Sequence, residues 1–300
     1  MKDENYPQLD FLVVASARGG TSWLYKCLFD HPQICLTQKK EYVPFDQNGV
    51  LSVDGLKSQF ADCHKPGALL GGMPLAFSIQ KNSSRFVKKY WPQAKIIMIL
   101  RNPIERAYSH YKNDIFRGQS AENISFGEAI RSDAYFLKYG FYADVVSTYR
   151  EDMGDKNVLI LLHDDVMKDH AGTVATVQKF LGIRQLSSEY VDSFVSVSRR
   201  TGKVYRSESL LNMHRTLIVL SAKVKKVGGE GVGKIFKFLG FGKILSSMYS
   251  YNFREHIAMG KEKDKEDVLI DSKDRDFLKS YYAEDIKGLS VLLRRDINWN

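Results

Sequence analysis

The chain has 300 residues, 44% of them hydrophobic and 26% charged, with 22 glycines, 7 prolines and a formal net charge of +9. This is globular composition, and it excludes collagen-like, low-complexity and wholly disordered chains. The positive balance favours an anionic ligand or surface, but there is no arginine-rich run and no zinc-finger or RRM signature, so nucleic acid is not expected as a partner. No run of about eighteen apolar residues occurs, so no transmembrane segment is expected. The polar start, with Asp3, Glu4 and Asp10, lacks the basic opening and apolar stretch of a signal peptide. Cys27, Cys35 and Cys63 show no CxxC spacing and no companion histidines. Neither a disulfide framework nor a metal site is indicated, and a reduced, cytoplasmic compartment is expected.

In chain order, Phe11–Ala15, Lys95–Leu100 and Val158–Leu162 are apolar runs without alternation, as in strands covered on both faces. Ile34–Thr37 and Leu69–Met73 are weaker strand candidates. Trp23, Leu24, Cys27 and Leu28 form a helical stripe after the first strand, closed by His31-Pro32. Pro103 opens another helix, with Ala107, Tyr108 and Tyr111 on one face. Phe126–Met153 reads as two helices broken at Tyr139-Gly140, and Val174, Val177, Phe180 and Leu181 make a further one. The last third shows no clear strand, only amphipathic helices near 207–226, 232–250 and 272–294. Strand–helix alternation of this kind predicts a single α/β domain with a central, mainly parallel sheet flanked by helices and a helical C-terminal part.

The segment Ala15-Ser16-Ala17-Arg18-Gly19-Gly20-Thr21-Ser22-Trp23 runs from a buried strand directly into a helix. Glycines let the backbone bend around a bound group, and the free N–H groups of the helix start suit a phosphate or sulfate. Arg18 adds a fixed positive charge, and Thr21 and Ser22 add hydroxyl donors. A tight turn with a capping Thr or Ser is the plainer reading of the same residues. A nucleoside-triphosphate loop needs glycine first and lysine after its last glycine. Ala15 and Thr21 stand in those places, which disfavours a kinase.

Arg18-Gly19-Gly20-Thr21-Ser22-Trp23 resembles the 5′-phosphosulfate loop of the PAPS-dependent sulfotransferases (PAPS being 3′-phosphoadenosine 5′-phosphosulfate). A second segment, Lys95 to Tyr111, is similar to that family's 3′-phosphate-binding strand and helix, with Arg101 and Ser109 eight residues apart. Read without the family, an arginine at a strand end beside a helical serine offers one phosphate a fork and a hydroxyl. The nearest style is that of bacterial relatives of the heparan sulfate and carbohydrate sulfotransferases. The resemblance implies one sulfotransferase domain over 1–300 with a P-loop NTPase-like fold. It also implies PAPS as the sulfuryl donor, release of adenosine 3′,5′-bisphosphate (PAP) and no metal.

Residue by residue, the resemblance assigns Arg18, Gly19, Gly20, Thr21 and Ser22 to the 5′-phosphosulfate. Arg101 and Ser109 fall to the 3′-phosphate, and Trp23 to the adenine. Arg18 stands where family members commonly carry lysine. A guanidinium is too basic to donate a proton readily, so Arg18 is expected to act by charge and hydrogen bonding. Lys40-Glu41 matches a Lys-Glu pair in the glycosaminoglycan branch, which makes Glu41 the expected base, with His64 as the rival. His163, in a His163-Asp164-Asp165 triplet, is placed near the adenine. Arg199-Arg200-Thr201-Gly202-Lys203 lies where relatives close a loop on the 3′-phosphate, giving Arg200, Thr201, Gly202 and Lys203 as donor contacts.

Gly71-Gly72-Met73-Pro74-Leu75 keeps the proline of a family segment but loses its charged pair. This weakens a polyanionic polysaccharide and leaves a small metabolite or another carbohydrate as acceptor, through a hydroxyl or an amine. The basic, apolar stretches at Leu217–Leu220 and Ile235–Leu245 suit packing on the sheet, an acceptor lid, or peripheral contact with an anionic lipid surface. The alternatives to a sulfotransferase are a nucleotide-dependent small-molecule kinase and an inactive binder of sulfated or phosphorylated ligands. The oligomeric state is not legible.

Overall fold

A computed structural model of the chain describes residues 6–15, 18–19, 21–46, 48–74, 82–116, 124–191, 201–205, 253–257 and 270–299. The chain divides into two compact units, Met1–His110 with Phe126–Val195 and Val268–Asn300, and Tyr111–Ser125 with Ser196–Asp267.

The first unit is built on a five-stranded sheet of order β2-β3-β1-β4-β5. Its strands are β1 (Phe11–Ala15), β2 (Ile34–Leu36), β3 (Leu69–Gly72), β4 (Lys95–Leu100) and β5 (Val158–Leu162). Every pairing in it is parallel. This is the α/β architecture expected from the apolar runs. The register of β1 on β4 runs from Phe11↔Lys95 to Ala15↔Ile99, so the chain leaves both strands side by side at one edge of the sheet. With β1 flanked by β3 and β4, that edge has the crevice in which open parallel sheets bind ligands.

Alternation along the strands separates two cores. Phe11, Val13, Ile97 and Ile99 face α1 (Ser22–Phe29), α7 (His163–Lys168) and α8 (His170–Leu181) through Leu24, Cys27, Leu28, Val166, Val174 and Val177. Leu12, Val14, Ile96, Met98 and Leu100 face the other way. They meet Leu56 of α2 (Val53–Gln59), Val87 of α3 (Ser83–Tyr90), Val146 and Tyr149 of α6 (Ala143–Met153) and Leu289 of α9 (Ser272–Leu293). Burial makes Cys27 inert as a nucleophile, its thiol pushed up to about 12.

Between these elements, α4 (Pro103–Phe116) starts at Pro103, and the Asn102 side chain accepts from the Ile104 N–H at 2.9 Å, a helix start with proline in its first turn. The span expected as two helices is α5 (Phe126–Ser132), two short 3-10 turns at Ala134–Phe136 and Lys138–Gly140, and then α6. Arg106 of α4 is fully buried and donates to the Phe136 carbonyl. Tyr282 of α9 donates to the Leu137 carbonyl at 2.8 Å. The two 3-10 turns are thus held from both sides.

Two expectations are corrected, and two helices are added to those expected. A second sheet exists, the antiparallel pair β6 (Thr201–Tyr205) and β7 (Phe253–Ile257), in the part of the chain read as having no strand. Thr-Gly-Lys-Val-Tyr and Phe-Arg-Glu-His-Ile lack an apolar run, and each becomes a strand only through a partner far along the chain. The helices α2 and α3 also went unannounced, since α2 buries Leu56 alone. Cys35 of β2 and Cys63 are paired as a disulfide, with Cα atoms 6.0 Å apart. Their separation of 28 residues matches no short motif, and the turn after α2 brings them together. The stretches near 207–226 and 232–250, with Leu217–Leu220 and Ile235–Leu245, lie outside the described residues. Among the described residues, no helix is long and apolar enough to cross a membrane.

Gly71 is the tightest point of the sheet. It pairs with Phe11, and a Cβ there would meet three atoms of the Phe11 ring, all nearer than 3.0 Å. Phe11 is fully buried and cannot yield into solvent. Gly71→Ala is expected to destabilise the protein by about 1–3 kcal/mol, read as a lower urea midpoint with an unchanged m-value. A midpoint equal to that of the wild type would show that the ring moves freely.

Candidate anion-binding site

The turn after β1 places Arg18 at φ +69°, the left-handed region that a non-glycine residue adopts only when its surroundings require it. Thr21 follows at the N-cap of α1, buried, and its side chain makes no capping hydrogen bond. The first N–H groups of α1 therefore face the turn without the hydroxyl cap that the plainer reading supplies. Gly19 is buried, and Gly20 lies outside the described residues.

The two motifs meet. Arg18 Nε donates to Ser109 Oγ at 3.1 Å, and Arg101 Nη1 donates to the Arg18 carbonyl at 3.3 Å. Arg101 also pairs with Glu105 at 3.3 Å, one helical turn on. Its Nε is buried and has no hydrogen-bond partner among the described residues. A guanidinium with an unused donor at the edge of the sheet fits a phosphate oxygen.

From the other side comes the turn after β2. Lys40 Nζ donates to Ser22 Oγ at 2.8 Å. Burial pulls the Lys40 ammonium below the ordinary lysine range; Glu41 acts against this and Arg18 with it. Arg18, Ser22, Lys40, Glu41, Arg101 and Ser109 thus form one neighbourhood. Glu41 itself is exposed.

Other expected residues are placed elsewhere. His64 is exposed on the turn after α2. Its neighbour Lys65 donates to the carbonyls of Phe29, His31 and Ile34 at 3.1, 2.9 and 3.0 Å. Those carbonyls mark the far end of α1 from Ser22, so the structure does not bring His64 to the group. Trp23 is only 5% exposed and meets His170 edge-on at 5.2 Å between centroids. Stacking on adenine needs an open ring face, and among the described residues Trp23 is packed as a core side chain. His163 opens α7 at the carboxyl end of β5, beside Arg101 across the β4–β5 pairing. Its ring and the Trp299 indole hold the Asp164 carboxyl below the usual carboxylate range. Arg200 lies outside the described residues, and Thr201, Gly202 and Lys203 open β6 in the second unit.

Two contributors went unseen in the sequence. Lys40 was legible only as the neighbour of Glu41. Tyr142 carries no motif, yet its hydroxyl donates to the Arg101 carbonyl at 2.8 Å from a site 1% exposed. Among the described residues, no cluster of three or more His, Cys, Asp or Glu side chains could hold a metal ion.

Arginines and hydroxyls gathered at the carboxyl edge between β1 and β4 give this α/β protein a corner with the chemistry to receive an anion. The sulfotransferase domain family matches residues 8–217, which takes in both motifs, and the chain belongs to that family. It is 23% identical over 193 residues to heparan sulfate glucosamine 3-O-sulfotransferase 6 of Mus musculus, covering 61% of this chain and 54% of that one. It is 22% identical over 210 residues to sulfotransferase 2A6 of Mus musculus, covering 66% of each. The chain thus spans between half and two thirds of the length of these relatives. In structure, it is similar to a sulfotransferase from Alicyclobacillus acidocaldarius, with a TM-score of 0.61 and 19% identity over 97% of this chain and 98% of that one. That likeness concerns the fold.

Tyr142→Phe keeps the buried ring and removes the donor to the Arg101 carbonyl. A loss of about 1–3 kcal/mol in unfolding free energy is expected. A change within about 0.5 kcal/mol would mean that water takes over the carbonyl.

Proposed function

We propose that the protein transfers a sulfuryl group from PAPS to a hydroxyl or amine of a small metabolite or carbohydrate, releasing PAP. The observation that carries this reading is the Arg18–Ser109 hydrogen bond, which joins the two family motifs at one point. The buried Nε of Arg101, without a hydrogen-bond partner among the described residues, fits a ligand with a second phosphate.

The donor supplies an activated sulfuryl group, and the protein's part is to hold its two charged ends and the acceptor in line. In this reading Arg18, Gly19, Gly20, Thr21 and Ser22 hold the 5′ end, using the N–H groups at the start of α1 and fixed positive charge. Arg101 and Ser109 hold the 3′-phosphate. Glu41 takes the proton from the acceptor; its place beside Lys40 and Arg18 supports that role, and the remoteness of His64 speaks against the rival. His163 follows β5 where Arg101 follows β4, which supports its assignment to the adenine end.

For the acceptor, the name of the mouse relative states heparan sulfate glucosamine for that protein. Gly71-Gly72-Met73-Pro74, without a charged pair, favours a less anionic acceptor here. The Lys40-Glu41 pair supports kinship with the carbohydrate branch.

PAP at about a hundred times its dissociation constant is expected to stabilise the protein by about 2.7 kcal/mol, or about 5 °C in Tm. ADP, or ATP with magnesium, is expected to leave Tm unmoved. Arg101→Ala should abolish the preference for PAP over AMP. In an acceptor screen with labelled PAPS, Glu41→Gln should lower turnover about a hundredfold or more with PAP affinity unchanged. Stabilisation by ATP with magnesium instead of PAP would overturn the reading in favour of a kinase.

A further inference from the structure

The three cations of the site differ in what still binds them. Arg18 donates to Ser109, and Arg101 to Glu105 and to the Arg18 carbonyl. Lys40 donates to Ser22 Oγ, the first side chain of α1. Among the described residues, no carboxylate lies within ion-pair distance of it. An ammonium carries three donors, so beyond the bond to Ser22 at the start of α1 two have no partner among the described residues. A compact cation on a flexible stem can follow an oxygen there, whereas the arginines are fixed by their other bonds.

We propose that Lys40 binds the 5′-phosphate end of the donor, together with Ser22 and the start of α1, and is the titratable cation of the site. This rests on the reading of the chain as a PAPS-using sulfotransferase and adds to it a residue and a pH dependence.

The pH dependence follows from what surrounds the ammonium. Arg18 faces it from the turn after β1 and Ser22 from α1, while Lys39 and Glu41 flank it on its own turn. Tyr25 of α1 donates to the carbonyls of Thr37 and Gln38 beside that turn, and burial pushes its hydroxyl up. Burial pulls Lys40 down. Arginine keeps its charge throughout, and Tyr25 holds its proton to higher pH than usual. Of Arg18 and Lys40, Lys40 is therefore the cation that loses its charge as the pH rises. A 5′-phosphate held by the ammonium binds below the lowered pKa of Lys40 and is released as the pH rises through it.

The test is calorimetric titration of the whole chain with PAP, adenosine 3′-monophosphate and adenosine, for wild type, Lys40→Met and Lys40→Arg. Wild type is expected to prefer PAP over adenosine 3′-monophosphate. Lys40→Met should lose about tenfold or more of PAP affinity and bind adenosine 3′-monophosphate as before, which also shows that it folds. Both phosphates of PAP are fully ionised above about pH 8. As the pH is raised from about 8 toward the ordinary lysine pKa of about 10.4, wild-type affinity for PAP should fall, and Lys40→Arg should bind equally across that range. An undiminished preference for PAP in Lys40→Met, or the same alkaline fall in Lys40→Arg, overturns the assignment while leaving the PAPS reading in place. A wild type that does not distinguish PAP from adenosine removes that reading, and the role of Lys40 with it.

Discussion

Parallel pairing of β1 with β4 is the constraint from which the site follows. Ala15 lies opposite Ile99, so the two connections leave the sheet together and Arg18 and Arg101 are held in one corner. Gathering positive side chains costs electrostatic energy that no local preference supplies. It is met here by sheet register and by dipoles: the Arg18 carbonyl accepts from Arg101, Ser109 accepts from Arg18, and Ser22 accepts from Lys40. Glu105 and Glu41 offset part of the charge. The left-handed backbone of Arg18 belongs to the same arrangement, since it turns the carbonyl toward Arg101 and the side chain toward Ser109.

What could be read beforehand tracks how local its cause is. The strands β1, β4 and β5 announce themselves because burial on both faces demands an unbroken apolar run. The starts of α1 and α4 are written in a glycine turn and in Asn102-Pro103. The strands of the five-stranded sheet and the turn that carries Arg18 were legible for those reasons, whereas Arg101 and Ser109 were singled out by their resemblance to a family motif. The hairpin of β6 and β7 was not, because neither strand has a pattern of its own. Nor was the link between Cys35 and Cys63, which needs the turn after α2 to close. His64 and Trp23 show the complementary limit. Residue type and chain order nominated them, but only packing decides which end of α1 a side chain reaches or whether a ring keeps an open face. Lys40 stands between the two cases, visible as a charge and not as a neighbour of Ser22.

The corner that holds Arg18 and Arg101 is also tied to α9, far along the sequence. Asp285 of α9 accepts from the N–H groups of Tyr142 and Ala143 at 2.8 and 3.0 Å, capping the start of α6. Tyr142 in turn grips the carbonyl of Arg101. Leu289 and Tyr282 anchor that last helix in the interior. Residues more than 170 positions downstream of Arg101 therefore brace the backbone that aims its guanidinium. Shortening the chain before Asp285 would slacken the corner that carries Arg101 without removing Arg18, Arg101 or Ser109.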